Sequence, residues 1–110
     1  MTVEMIKTGT TQEDTYTAET REIRADGETV GYIDLMIDDS FTYCDCISIY
    51  ARFQNRGIGT EVLRTVSAEF GGLVLAPDNE GARRLYARLG DIWDGYEAGY
   101  IDQGYGVYRV

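Results

Sequence analysis

The chain has 110 residues, 44% of them hydrophobic, which suits one compact domain over residues 1–110 and excludes two. Nineteen acidic against ten basic residues leave a net charge of −9; this excludes a general nucleic-acid binder, which needs a basic footprint, and is compatible with a cationic substrate. No apolar run approaches the ~20 residues of a membrane helix, and the start, Met1-Thr-Val-Glu-Met, carries no basic-then-apolar leader, so the expectation is a cytoplasmic protein with no membrane partner.

Residues 3–7 read as a short first strand and the polar residues 8–14 as a loop. Residues 15–24 are rich in Thr and Tyr, as strands are. Asp26-Gly27 is a hairpin signal, and residues 30–37 form the returning strand. A further strand covers 43–51. Plain alternation there puts Tyr43, Asp45, Ile47 and Ile49 on one face, and Cys44, Cys46, Ser48 and Tyr50 on the other. Cys44 and Cys46 are the only cysteines. A bridge between them would close a strained ring, and with no histidine in the chain there is no zinc set, so free thiols and no metal are expected.

The period then changes. Ile58, Val62, Leu63, Val66 and Phe70 lie on one helical stripe, and Gly71-Gly72 ends it. The apolar run 73–76 suits a strand buried on both faces. Pro77-Asp78-Asn79 opens a second helix with a cap available, Ala82, Leu85, Tyr86 and Leu89 give it an apolar face, and Gly90 closes it. Residues 92–110 read as two strands around a glycine-rich turn near Gln103-Gly104. Strands, then strand–helix–strand–helix, then strands imply an α/β mixed sheet with helices packed on it.

Chemistry concentrates at Gln54-Asn-Arg-Gly-Ile-Gly-Thr60, where a strand hands over to a helix. Two glycines let main chain approach a ligand closely, and the unpaired N–H groups of a helix start favour an anion. No Gly-Lys-Ser/Thr ending is present, and Val62 stands where a dinucleotide fingerprint has its third glycine.

The segment Gln54-x-x-Gly57-x-Gly59 resembles the Gln/Arg-x-x-Gly-x-Gly/Ala signature of GNAT acetyltransferases. Asn79-x-x-Ala82-x-x-Leu85-Tyr86, with Leu89-Gly90, resembles the second motif of that family, and the two stand in the family's order. The resemblance covers about residues 28–110. It implies a GNAT-like fold: a mostly antiparallel sheet with a central parallel strand pair and two main helices. It also implies acetyl-CoA as cofactor and acetyl transfer to a primary amine, on a small molecule or a basic protein, by direct attack. The alternative is a non-catalytic acetyl-CoA-binding or protein-interaction module.

By the same resemblance, strand residues 47–53, with Ile47 and Ile49, pair by main chain with pantetheine. Gln54 belongs to the signature, and the amides of Arg56, Gly57, Ile58, Gly59 and Thr60 hold the pyrophosphate, with charge from Arg52 and Arg56. Asn79 bonds the pantetheine arm, and Tyr86 protonates the leaving thiolate, a task suited to a phenol. A base must also take the amine's proton. Asp45 is the first candidate, and equally reads as an ordinary strand carboxylate; Tyr43 and Glu22 are weaker ones. The family's two helices between the first two strands have no counterpart in residues 8–14. The acceptor side is therefore either open or completed by a second copy in a homodimer. The aromatic tail either lines an acceptor pocket or packs as ordinary strand.

Overall fold

The computed structural model describes residues 1–110. Seven strands form one sheet: β1 (Val3–Gln12), β2 (Thr17–Ala25), β3 (Glu28–Ile37), β4 (Thr42–Ile49), β5 (Val74–Leu75), β6 (Asp91–Ile92) and β7 (Tyr108–Arg109). Their order is β1-β2-β3-β4-β5-β7-β6, antiparallel throughout except for the β4–β5 pair. The helices are α1 (Ile58–Phe70), α2 (Glu80–Leu89) and the single turn α3 (Ala98–Ile101). None is long and apolar enough to cross a membrane.

The stripe of α1 is the keystone of the core. Ile58, Val62, Leu63 and Val66 are at most 1% exposed and pack with Ile23, Val30, Ile33, Leu35 and Leu75 of the sheet and with Leu73 just before β5. Each such burial contributes about 1.5–3 kcal/mol relative to exposure. Gly71, at φ 72°, ends α1 in the left-handed region that suits glycine, as its position in the sequence implied.

Three expectations are corrected. First, β1 runs on to Gln12 instead of yielding to a loop at residue 8. As the sheet's outer edge it is solvated on both faces for most of its length, so no apolar alternation marks it. Second, β4 ends at Ile49; Ala51–Phe53 form a 3₁₀ turn, so residues 50–53 add no strand. Third, the tail strands β6 and β7 have two residues each, and between them the chain folds into α3 and a loop rather than one hairpin.

The alternation in β4 is also broken. Leu35 pairs with Cys44 and Asp34 with Cys46, so Asp45 is an extra residue without a partner: a bulge. Below it, Thr42 and Cys44 face the core; above it, Ile47 and Ile49 do. Asp45 therefore does not share a plain strand face with Ile47 and Ile49. It sits exposed at the kink. Gly31 lies close by for a steric reason: a Cβ there would come within 2.0 Å of the Ser48 carbonyl oxygen.

Candidate active site

The parallel pairing of β4 with β5 covers only Tyr43↔Val74 and Cys44↔Leu75. Beyond the bulge the two strands part, and β4 has no neighbour on that side. The Tyr50 amide donates to the Val30 carbonyl at 2.8 Å, which turns residues 48 and 50 toward β3. By the alternation of an antiparallel ladder, the main-chain groups of Ile47 and Ile49 then face the open side. The Ile49 carbonyl accepts there from Gln54 Nε2 at 2.9 Å, so Gln54 folds back and braces the turn against the strand.

The turn itself is held in two left-handed residues, Asn55 at φ 63° and Gly57 at φ 80°. The Gln54 amide donates to Ala51 and the Glu61 amide to Gly57. Between them, the amides of Asn55 through Thr60 donate to no carbonyl or side chain of the protein. Such a run of unsatisfied donors at a helix start is what an anion requires. Gly59 leaves the approach open: a Cβ there would meet only Ile49 Cγ1, at an ordinary 3.9 Å.

These amides head a groove of about 820 Å³ between β4, α1 and α2. Ile47, Ile49, Gln54, Gly57, Ile58, Gly59, Thr60, Asn79 and Tyr86 all line it. Arg52 and Arg56 do not. Arg52 pairs with Glu28 and lies over the Phe53 ring at 4.5 Å, with Arg56 at 5.7 Å from the same ring. The cation in the lining is Arg88, which sequence reasoning missed; its spacing from Gly81 and Leu85 on α2 is the signal that would have found it. Asn79 accepts from the Ala82 amide at 2.8 Å as the cap of α2, and its Nδ2 donates to Asp78.

The groove runs into a cavity of about 240 Å³ in the gap between β4 and β5, with Ile47 and Tyr86 common to both. Tyr86 lies near Cys44, Asp78, Cys46 and Tyr43. Burial first, then those groups, pushes its phenol up to about 12, and no protein group hydrogen-bonds its hydroxyl. Burial likewise raises the Cys44 thiol well above its usual range, which makes it an inert core thiol; both cysteines are free.

A third cavity, of about 620 Å³, adjoins the gap and shares Tyr43, Asp45 and Gln103 with it. It lies on the sheet face away from α1, because Met36 and Tyr43 in its lining alternate with core-facing Leu35 and Cys44. Its far wall is the chain's own tail, from Trp93 to Gln103. Phe41 and Trp93 pack there with ring centroids 4.8 Å apart. Burial, then Asp45, raises the Tyr43 phenol. Glu22 lines none of these cavities; the Thr29 hydroxyl, then Arg24, holds its carboxyl below the usual range.

The sequence pattern of the acetyltransferase (GNAT) family matches residues 5–91. Among solved structures, the chain is similar to a GNAT family acetyltransferase from Elizabethkingia anophelis with acetyl-CoA bound, at 27% identity and a TM-score of 0.61 over 70% of this chain and 56% of that one. It also shares its fold with a GNAT family protein from Bacteroides thetaiotaomicron, at 23% identity and a TM-score of 0.60 over 84% of this chain and 59% of that one. The chain thus spans between 56% and 59% of the length of these two proteins. No curated protein matches the sequence. A pattern that runs from residue 5 to residue 91, through the amide-rich turn and the α2 motif, identifies the chain as a member of the acetyltransferase (GNAT) family.

Proposed function

We propose that this protein, acting as a single domain over residues 1–110, is an N-acetyltransferase that moves an acetyl group from acetyl-CoA to a primary amine. The observation that carries the reading is the run of unpartnered amides from Asn55 to Thr60, at the head of a groove that leads to the Tyr86 hydroxyl. The acetyl-CoA-bound relative from Elizabethkingia anophelis supports the choice of cofactor. We take the setting to be the cytoplasm, where free Cys44 and Cys46 stay reduced.

In this reading the amides of Arg56 to Thr60 hold the pyrophosphate, and Arg88, rather than Arg52 or Arg56, supplies the nearby positive charge. The open edge of β4 at Ile47 and Ile49 pairs with the pantetheine arm, to which Asn79 offers the Nδ2 hydrogen left over from Asp78. Bound there, acetyl-CoA supplies the acetyl group as a thioester. Tyr86 keeps its proton at neutral pH and gives it to the departing sulfur. Asp45, exposed at the bulge and common to the gap and the outer cavity, takes the proton that the amine loses. Catalysis then rests mainly on holding the reactants in one geometry across the gap.

Acetyl-CoA at about 100 times its dissociation constant is expected to stabilise the chain by about 2.7 kcal/mol, read as a rise in melting temperature. Thiol release with simple amines then reports turnover. No thermal shift at millimolar acetyl-CoA would remove the proposal. Gly59→Ala tests the approach of main chain to ligand. Its methyl fits the fold and favours the helix by roughly 0.5–1 kcal/mol, so the melting temperature should hold or rise. Acetyl-CoA affinity should nevertheless fall about tenfold, ~1.4 kcal/mol. Unchanged affinity would move the phosphate site elsewhere.

A further inference from the structure

We infer that the outer cavity takes a linear aliphatic polyamine as acceptor, rather than an amine with a single charge. The inference rests on the acetyltransferase reading for the reaction, though not for the binding. The site is the cavity itself: about 620 Å³, continuous with the gap beside Tyr86, and walled by aromatic rings. Rings such as Tyr16, Phe41, Tyr43 and Trp93 offer faces that attract ammonium groups and cover methylene chains. Charge decides which ligands fit. Asp38, Asp45 and Glu97 are in the lining, and no Lys or Arg is. None of the three enters an ion pair elsewhere in the chain. One oxygen of Asp38 accepts from the Ser40 and Phe41 amides, which fixes the carboxylate and leaves its second oxygen free.

Spacing then selects more than one charge. Asp38 sits across the hairpin from Phe41, its amide donating to that carbonyl at 3.3 Å. Asp45 lies four residues farther along β4, so the two main-chain positions are about 10–13 Å apart. One end of the ligand meets Asp45 at the gap, where the reacting amine must lie. The other end meets Asp38, beyond the reach of any monoamine's one charge. A linear triamine of about eight to ten chain atoms covers that distance. An amine with one charge would leave Asp38 and Glu97 without a counter-charge.

The test is calorimetric titration of the full chain, without acetyl-CoA, with spermidine and with hexylamine at about 0.15 M salt, where diffuse attraction to a protein of net charge −9 is screened. Spermidine should bind at least about fivefold more tightly. Asp38→Asn and Glu97→Gln keep size and, for Asp38, the turn hydrogen bonds; each should narrow that preference by about threefold. Glu4→Gln, on the exposed edge strand, should leave it unchanged. Equal affinities, no binding of either amine, or an equal loss in Glu4→Gln would overturn the inference. Turnover separates the two levels. If hexylamine is acetylated as readily as spermidine, the acceptor class falls and the acetyltransferase reading stands. If acetyl-CoA gives no thermal shift while spermidine still binds selectively, the reverse holds.

Discussion

Replacing Tyr86 with phenylalanine is expected to lower turnover by about 10²–10⁴-fold while acetyl-CoA affinity stays within about twofold. The substitution removes one oxygen from a ring that the protein otherwise holds by packing, since the hydroxyl has no protein partner. Stability should therefore change little, because no buried hydrogen bond is broken. In the proposed role, the loss belongs to the departing sulfur, which forfeits its proton source only as the bond breaks, so the effect falls on kcat rather than KM. The pH profile carries the same signature. A phenol pushed up to about 12 remains protonated below that value, so the acid form is present at all ordinary pH. Activity of the native protein should rise with pH as the amine loses its proton and show no alkaline decline over about pH 8–10. Equal turnover in the Phe variant would retire Tyr86 as the acid.

The side chains that announced themselves in the sequence are those whose role is local. The period of Ile58, Val62, Leu63 and Val66 and the flanking glycines gave α1 its bounds, because a helix must present one stripe and must stop where the chain turns left-handed. The amide-rich turn was equally open to reading, since Gly57 and Gly59 mark main chain that has to come close to something. The bulge at Asp45 left no mark. An inserted strand residue needs no special side chain, and the polar and apolar residues of β4 alternate in sequence as if it were absent. That one register slip decides the site: it turns Ile47 and Ile49 inward, parts β4 from β5 and brings Asp45 to the gap. The wall of the outer cavity was hidden for another reason. Trp93, Glu97 and Gln103 face Thr15, Tyr16 and Asp38 across the cavity, a pairing set by tertiary folding between the two ends of the chain. Strands as short as β6 and β7 owe their pairing to neighbours, so their length could not be read from their own residues.

A second large effect is expected far from the chemistry. Arg21 is 9% exposed and Glu19 6%, on the core face of β2 beneath the end of α1. Arg21 Nε donates to Glu19 at 2.5 Å, and both terminal nitrogens grip Glu69 of α1, at 2.8 and 2.5 Å. Phe70 lies below the guanidinium at 5.5 Å, and Lys7 adds a contact to Glu19 at 3.1 Å. Arg21→Met removes the buried partner of Glu19, which also ties α1 to the sheet, and leaves Glu19 only its contact with the exposed Lys7. Leaving a buried charge without its partner costs about 3–5 kcal/mol, a large part of the ~5–15 kcal/mol that holds a domain folded. The melting temperature should fall by more than about 10 °C. The double change Arg21→Met with Glu19→Leu should recover most of the loss, because it replaces the pair by apolar groups and leaves Glu69 and Lys7 to solvent. Acidity gives an independent reading. The Arg21 hydrogen bond holds the Glu69 carboxyl below its ordinary 4.5, so its contribution is complete above that value and is lost as pH falls through the lowered one. The stability gap between native protein and Arg21→Met should therefore narrow on acidification below about pH 4.5. A gap that stays constant down to acid unfolding would mean that the guanidinium acts there through packing alone.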